Sequence, residues 1–224
     1  MYDTNLPDKN DNRDYDYSTT PAEERAEYAT VVSLVEPGST VVDLGCGNGS
    51  LMQLLAGQKQ AVCTGVEISA SGVDICRQKG FETLLHSIDT PLPFADNQFD
   101  FAVCNVTMQM VQYPEVLLRE MKRIARYQVI SFPNFAFYKN RLQLLFGGQM
   151  PKKLLYGYTW YNTGHIHQFS IKDFKELVRH TGSLEIVKQA TTGGKTALKL
   201  PARWCPNLFE ILPVFLLRKT NERT

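Results

Sequence analysis

Residues 41–50 read VVDLGCGNGS, in which a β-branched run ends in an acid and three glycines follow at every second position. Glycine lets a chain turn tightly, and it lets a ligand touch the backbone without meeting a Cβ. In a doubly wound α/β sheet, ligands bind beyond the carboxyl ends of the strands, where the loop after the first strand lies. The stretch therefore predicts a buried strand, a ligand-binding loop and a helix whose first N–H groups can serve an anionic group.

Strand and helix patterns alternate after this loop. Apolar runs typical of buried strands lie at AVCTGVEI, FETLLH, FDFAVCNV and YQVISF, and two weaker strand patterns lie around 184–189 and 195–200. Helical patterns lie at SLMQLLAG, SASGVDICRQKG and PEVLLREMKRIAR, and PAEERAEYATVVSLV predicts an earlier helix from Pro21. Repeated βα units of this size predict an α/β fold with a doubly wound, mostly parallel sheet covered by helices on both faces.

The chain length sets the expected number of domains. With 224 residues, the chain suits one domain that can bury a real core. Residues 1–20 hold many Asp and Asn residues and few core-forming side chains, so we predict a flexible acidic N-terminal arm there. Residues 21–224 then form a single domain, with an aromatic-rich cap or insertion around 134–170.

Composition argues against several classes of function. The formal net charge of +1 gives no electrostatic reason to expect nucleic acid as a partner. The longest apolar run, LFEILPVFLL at 208–217, is shorter than the ~20 residues of a membrane span, and core packing explains it better than a docking patch. The five cysteines are odd in number and form no CxxC pair, so we expect buried, reduced thiols in a cytoplasmic protein and no metal site.

The spacing of the glycines and acids points to a nucleoside. A dinucleotide fingerprint requires GxGxxG, whereas Gly45, Gly47 and Gly49 give GxGxG, which argues against a nicotinamide-dependent oxidoreductase. Asp43 lies two residues before the first glycine, and Glu67 ends the second predicted strand. An acid at the end of that strand can accept both hydroxyls of a ribose. The alternative is a glycine loop that serves only as a turn.

The ordered set of acid, GxGxG loop and second acid resembles the class I S-adenosylmethionine-dependent methyltransferases. LPFADNQFDFAV and PEVLLREMKRIAR also resemble the segments that lead into and follow the fourth strand of that family. The resemblance implies a Rossmann-like sheet of seven strands with the last one antiparallel. It also implies S-adenosylmethionine as cofactor, with S-adenosylhomocysteine as product.

The same resemblance assigns roles to single residues. It implies that the glycine loop carries the methionine part of the cofactor, that Glu67 binds the ribose and that Ile68 packs on adenine. Ser87 stands where the family has an acid that meets the adenine amino group, so either Asp89 or the backbone around Ile88 is expected to replace it. The expected cofactor-binding residues are Asp43, Gly45, Cys46, Gly47, Gly49, Glu67, Ile68, Ser87, Ile88, Asp89 and Asn105.

Two later blocks narrow the resemblance to the MetW family of methionine biosynthesis proteins. VISFPNFAFYKNRLQLLFGGQMP and WYNTGHIHQFSIKDFKEL are similar to blocks of that family, although Gly164-His165 replaces its Pro-Asn pair and the N-terminal arm is longer. The resemblance implies a role in methionine synthesis beside homoserine O-acyltransferase. We expect a methyltransferase that acts on a small molecule; the alternative is a non-catalytic accessory protein that acts with homoserine O-acyltransferase.

The candidates for chemistry follow the fourth strand or lie in the aromatic segment. Asn105 and Gln109 can orient a methyl acceptor, or they can cap a helix start. His165 and His167 share a face if their stretch is extended, and either can take a proton near neutral pH. One alternative is a structural use of both histidines. The other is a metal site, but no carboxylate or thiol stands at ligand spacing, which disfavours it. We therefore predict His167, His165 and Asn105 as catalytic residues.

Overall fold

The computed structural model of the protein describes residues 17, 25–151, 160, 164–192 and 202–220. The strands in these ranges are β1 (Thr40–Leu44), β2 (Val62–Glu67), β3 (Glu82–Leu85), β4 (Phe99–Asn105), β5 (Ala125–Ser131), β6 (Leu184–Thr191) and β7 (Pro213–Lys219). The helices there include α1 (Tyr28–Leu34), α2 (Ser50–Lys59), α3 (Ala70–Gln78), α4 (Pro114–Ile124), α5 (Tyr138–Gly147), α6 (Ile171–Thr181) and α7 (Pro206–Phe209), with a short 3-10 helix at Met108–Met110.

The strands form one sheet in the order β3-β2-β1-β4-β5-β7-β6. Strands β1 to β5 are parallel to one another, and β7 is antiparallel to both of its neighbours. The predicted doubly wound, mostly parallel α/β sheet with an antiparallel last strand is thus confirmed. The strand order reverses between β1 and β4, which places the loops after these two strands beside the crevice where such folds bind ligands.

Helices cover both faces of the sheet because the strands are apolar on both faces. In β1, Val41 packs against α1 and α2, whereas Val42 packs on the opposite side with α4 and α6. Successive side chains of a strand point to opposite faces, so one short buried strand contributes to both halves of the core. Phe132, Phe174 and Phe215 form a ring cluster in the half under α6, with centroids 4.8 to 5.9 Å apart.

Helix α4 follows the apolar pattern of its sequence. Pro114 occupies its first turn, where a missing N–H costs no hydrogen bond. Leu117, Leu118, Met121 and Ile124 are buried, which gives one apolar face against the sheet. The helix ends at Ile124 and β5 begins at the next residue.

The last strand lies in a different place from the weak pattern around 195–200. Residues 193–200 lie outside the described residues, and β7 is formed by Pro213–Lys219, which begins in the run LFEILPVFLL and ends two residues beyond it. Val214, Phe215 and Leu217 are buried, so the expectation of core packing for this run is confirmed. Pro213 is compatible with the strand because it stands at its first position. The pattern around 184–189 corresponds to β6.

The first helix begins later than its sequence pattern predicts. Residues 21–24 lie outside the described residues, Arg25 to Glu27 are not helical, and α1 starts at Tyr28. Glu27 is only 3% exposed, whereas an acid in a first helical turn is ordinarily solvated. The acid is buried because it takes part in a polar network that is described below.

The helices have two further properties, which concern exposed apolar side chains and helix length. Helix α5 exposes apolar side chains, among them Leu145 at 73% and Phe146 at 81% of their full accessible area. Among the helices that can be described, none combines the length and the apolar character needed to cross a membrane.

Candidate functional site

Three glycines shape the loop after β1. Gly45, Gly47 and Gly49 have φ angles of +79°, +56° and +75°, a left-handed region that other residues rarely adopt. A Cβ at position 45 would lie 2.6 Å from Thr107 Cγ2, and a Cβ at position 49 would lie 2.9 Å from Cys76 Sγ. The loop therefore needs glycine both for its conformation and for space.

Hydrogen bonds attach this loop to the end of β2. The N–H groups of Gly45 and Cys46 donate to the carbonyl oxygen of Val66 at 2.8 and 3.2 Å. The N–H of Gly47 donates to Glu67 Oε2 at 2.8 Å. The loop after the first strand and the last residue of the second are consequently held as one unit.

Glu67 is a buried carboxylate bonded by backbone donors. Glu67 is 4% exposed, and its Oε1 accepts the N–H groups of Ile68 and Ser69, both at 2.9 Å. With the Gly47 bond, three of roughly four acceptor positions of a carboxylate are in use. A ribose that offers two hydroxyls would take the remaining position and compete with a backbone donor for another. Ile68 is 41% exposed, so an apolar face lies next to this acceptor.

Asp43 is a buried acid near the end of β1, opposite Gly65 on β2 and Val103 on β4. Burial raises the pKa of Asp43 to about 7, and the negative charge of Glu67 adds to the shift. A substantial fraction of Asp43 is therefore protonated at neutral pH. Two adjacent acids with different environments thus lie at the ends of neighbouring strands.

The loop after β3 holds Ser87, Ile88 and Asp89. Asp89 Oδ1 accepts the N–H groups of Gln112 and Tyr113 at 2.6 and 3.2 Å, so this oxygen bonds the chain just before α4. The N–H of Asp89 donates to Ser87 Oγ at 3.2 Å, and Ile88 is buried. Contacts from these three residues to an adenine ring remain a prediction.

Asn105 joins a buried polar network at the end of β4. Its Nδ2 donates to Glu27 Oε1 at 3.3 Å, and its Oδ1 accepts the Ser131 hydroxyl at 2.6 Å. Arg25 Nε lies 2.8 Å from the same Glu27 oxygen. Both ends of the Asn105 amide are therefore bonded to protein groups. Glu27 and Arg25 were missed because PAEERAEY is typical of a solvated helix start.

The turn after β4 is strained. Val106 has a φ of +52° and is buried, which is unusual for a β-branched residue and costs on the order of 1–3 kcal/mol. Gln109 Nε2 donates to the Val106 carbonyl at 2.7 Å, and the Val106 N–H donates to Ser131 Oγ at 3.0 Å. These bonds hold the strained backbone in place.

The histidine segment packs against this same turn. The N–H of His167 donates to the Gln109 carbonyl at 3.0 Å, and His167 Nε2 lies 3.3 Å from the Gln112 carbonyl. Ile166 between the two histidines is 57% exposed, whereas His165 and His167 are half-buried, so both rings lie on the inner face of the segment.

Burial lowers the pKa of the His165 ring. It is therefore neutral near pH 7 and able to accept a proton. Trp160, which opens the block WYNTGHIHQFSIKDFKEL, is exposed, and the next two residues, Tyr161 and Asn162, lie outside the described residues. The described part of the chain holds no group of three or more His, Cys, Asp or Glu side chains able to bind a metal ion.

One residue of the N-terminal arm contacts the loop. The N–H of Tyr17 donates to Ser71 Oγ at 3.0 Å, near the start of α3. Its ring atoms lie 3.3 Å from where a Cβ at Gly47 would be, and 3.1 Å from a Cβ at Gly72. The Tyr17 ring thus packs against the backbone of Gly47 and Gly72, where a Cβ would crowd the ring.

The structure brings most predicted residues to one edge of the sheet. The glycine loop, Asp43, Glu67 and Ile68 lie together at the ends of β1 and β2, and the turn after β4 meets the loop through Thr107. Asn105 and Asp89 Oδ1 are bonded to other protein groups.

Comparison with known proteins identifies a family. The model of the family "Methionine biosynthesis protein MetW" matches residues 25–217. The bifunctional methionine biosynthesis protein MetXA/MetW of Rhodopirellula baltica is 31% identical over 168 residues, which is 70% of this chain and 26% of that protein. The chain therefore spans about a quarter of that relative. A demethylmenaquinone methyltransferase of Staphylococcus aureus is 24% identical over 184 residues, covering 74% of this chain and 76% of that protein.

Solved structures share the fold. An S-adenosylmethionine-dependent methyltransferase of Thermotoga maritima, described as a possible histamine N-methyltransferase, has a TM-score of 0.62 at 23% identity and covers 88% of both chains. A methyltransferase of Mesorhizobium loti has a TM-score of 0.63 at 14% identity, over 89% of this chain and 100% of that chain. The [4+2]-cyclase SpnF has a TM-score of 0.62 at 16% identity, over 86% of this chain and 79% of that chain.

The raised pKa of Asp43 makes stability depend on pH. Its folded value of about 7 exceeds its unfolded value of about 4, so the folded state binds the proton more tightly. The stabilisation is complete below about pH 4 and is lost as the pH rises through about 7, with a slope of at most about 1.4 kcal/mol per pH unit. Asp43→Asn should remove this slope from urea unfolding measured between about pH 5 and pH 8.

Glu210 is the necessary comparison, because burial also raises its pKa to about 7. Glu210→Gln should remove a separate part of the slope and leave the part that belongs to Asp43. An unchanged slope in Asp43→Asn would show that Asp43 is ionised in the folded protein.

Proposed function

The chain belongs to the MetW family of methionine biosynthesis proteins, and from this premise we propose that it binds S-adenosylmethionine at the glycine loop and acts as a methyltransferase on a small molecule. The observation that carries the proposal is the bond between Gly47 and the buried Glu67 carboxylate. This hydrogen bond joins the glycine loop, whose backbone is not covered by side chains at its glycines, to a carboxylate that can accept ribose hydroxyls. The fold alone does not carry the proposal, because a cyclase has it too.

The residues at this edge fit the proposed cofactor. The glycine loop offers bare backbone for the methionine part, Glu67 offers its carboxylate to the ribose, and the exposed Ile68 offers an apolar face to adenine. Backbone donors can be exchanged for ribose hydroxyls at Glu67 with little net loss, because one hydrogen bond replaces another. When bound, S-adenosylmethionine supplies a methyl group activated by a sulfonium.

The residues after β4 then serve the acceptor. Gln109 fixes the turn at Val106 and, through its carbonyl oxygen, the backbone of His167. His165 lies in the same segment, and burial keeps its ring neutral, so it can take a proton from an acceptor that must lose one. Asn105 acts here through the network with Glu27 and Ser131, which supports the end of β4.

The cofactor assignment predicts the effect of Glu67→Gln. Loss of the charged acceptor should weaken S-adenosylhomocysteine binding by at least about tenfold, because a hydrogen bond to a charged group contributes about 1.5–3 kcal/mol. Calorimetry on the wild type, Glu67→Gln and Glu82→Gln measures this, where Glu82 is an exposed glutamate on β3. Glu82→Gln should bind like the wild type.

Two results would contradict this assignment. One is equal affinity in the wild type and Glu67→Gln, with both variants shown to be folded by their thermal transitions. The other is stabilisation of the wild type by NAD but not by S-adenosylhomocysteine.

The catalytic assignment predicts the effect of His165→Gln. With S-adenosylmethionine and fractions of a metabolite extract, the wild type should produce S-adenosylhomocysteine, and His165→Gln should do so at least about a hundredfold more slowly. Its affinity for S-adenosylhomocysteine should be unchanged, which separates proton transfer from binding. His180→Gln, an exposed histidine on α6, is the control. Equal rates in both variants would remove His165 from the chemistry.

A second function is favoured by the relative in which MetXA and MetW form one polypeptide. We infer that this chain also associates with homoserine O-acyltransferase, either as an enzyme of the same pathway or as a non-catalytic accessory protein. Covalent fusion raises the local concentration of two parts that act together. If no fraction of the metabolite extract gives S-adenosylhomocysteine, the accessory role is better supported than the methyltransferase role.

The accessory role predicts a stable complex. Mixed with the homoserine O-acyltransferase of the same organism, the protein should co-elute in gel filtration and change the acyl-transfer rate at least severalfold. Serum albumin at equal concentration is the control for non-specific effects. Separate elution together with an unchanged rate would contradict the association.

A further inference from the structure

Two thiols, one in the glycine loop and one on α3, lie in contact, and neither gains or loses a group in the proposed methyl transfer. Cys46 Sγ and Cys76 Sγ are 3.8 Å apart, although the residues are 30 positions apart in the chain. Cys46 stands between Gly45 and Gly47 of the loop, whereas Cys76 belongs to α3. The pair thus joins the loop to a helix that packs beside it.

The surrounding glycines make room for both sulfur atoms. A Cβ at Gly65 on β2 would lie 2.7 Å from Cys46 Sγ, and a Cβ at Gly49 would lie 2.9 Å from Cys76 Sγ. Any larger residue at either position would push a thiol out of place. Cys76 Sγ also lies 3.4 Å from the carbonyl oxygen of Gly47, to which it can donate. The Cys76 thiol therefore touches the loop directly.

Cys76 differs in acidity from the other buried cysteines, because its pKa is lowered whereas theirs are raised. The hydrogen bond between Cys46 and Cys76, which either thiol can donate, raises the pKa of Cys46 and lowers the pKa of Cys76, and the positive charge of Lys79 adds to the lowering. Burial instead raises the pKa of Cys63 and of Cys104 to about 12 each. Because the thiolate is the reactive form, Cys76 is the better nucleophile.

We propose that Cys46 and Cys76 form a reversible disulfide when a peroxide oxidises them, and that this disulfide weakens ligand binding at the glycine loop. One thiol reduces the O–O bond of the peroxide, becomes a sulfenic acid and releases an alcohol, or water if the oxidant is hydrogen peroxide. The second thiol attacks that sulfur, so an S–S bond forms and a molecule of water leaves. The thiols lose two electrons and the peroxide gains them.

The bond changes the loop because the sulfur atoms must approach each other. A disulfide is about 2.05 Å long, so the 3.8 Å separation must shrink by about 1.8 Å. Cys76 is held within a helix, whereas Cys46 lies in a loop between two glycines, so the loop makes most of the movement. Gly47, the next residue, carries the N–H that bonds Glu67. The effect on ligand binding rests on the proposed function, whereas the disulfide itself does not.

The test uses hydrogen peroxide and two independent measurements. In a Cys205→Ser background, which removes the exposed thiol, peptide mapping without reductant identifies linked cysteines. Calorimetry measures S-adenosylhomocysteine affinity before oxidation, after it and after dithiothreitol. Cys76→Ser removes the pair, and Cys63→Ser is the matched control for a buried thiol. Cys63→Ser also removes ambiguity, because Cys63 and Cys76 lie in one tryptic fragment, 60–77.

We expect a Cys46–Cys76 link in the background protein and in Cys63→Ser, with at least a tenfold loss of affinity that dithiothreitol restores. Peroxide should leave the affinity of Cys76→Ser unaltered. If Cys63 or Cys104 is oxidised as fast as Cys46 and Cys76, the proposal is overturned. If the Cys46–Cys76 link forms and the affinity for S-adenosylhomocysteine does not change, the proposed effect of the disulfide on ligand binding is overturned. A link in a protein whose reduced form does not bind S-adenosylhomocysteine would contradict the proposed function and still support the disulfide.

Discussion

The arrangement of the site depends on the buried carboxylate of Glu67, whose Oε2 accepts the N–H of Gly47. The regular hydrogen bonds between two parallel strands end where the strands end. The distance between the loops that follow them must therefore be fixed by other bonds. A buried carboxylate that accepts backbone donors from both loops supplies that link, and hydrogen bonds to a charged acceptor are shorter and stronger than neutral ones. The three donors also offset the cost of removing the carboxylate from water.

The parts of the site that follow from short stretches of sequence were predictable. The left-handed conformation of Gly45, Gly47 and Gly49 requires glycine, and the acid at position 67 ends an apolar run, so the local pattern contains the information. β7 was harder to locate, because a strand buried on both faces lacks alternation and Pro213 resembles a break in the pattern.

The network around Asn105 could not be read from the sequence. Its partner Glu27 is 78 residues away, in a segment whose composition is equally typical of a solvated helix start. Val106 gives no signal either, since valine rarely adopts a positive φ and nothing local requires one. The tertiary contacts through Ser131 and Gln109 impose that conformation. Strained backbone of this kind clusters at functional sites, and this turn contacts the glycine loop through Thr107.

The direct junction between α4 and β5 has a consequence for how the chain tolerates changes in length. Ile124 closes the helix and Ala125 opens the strand, so no spare residue separates them. One inserted residue would turn the helix by about 100° or reverse the two faces of the strand. Either change would carry Ser131 away from Asn105 at the far end of β5. Insertions and deletions should therefore be absent at this junction among functional relatives.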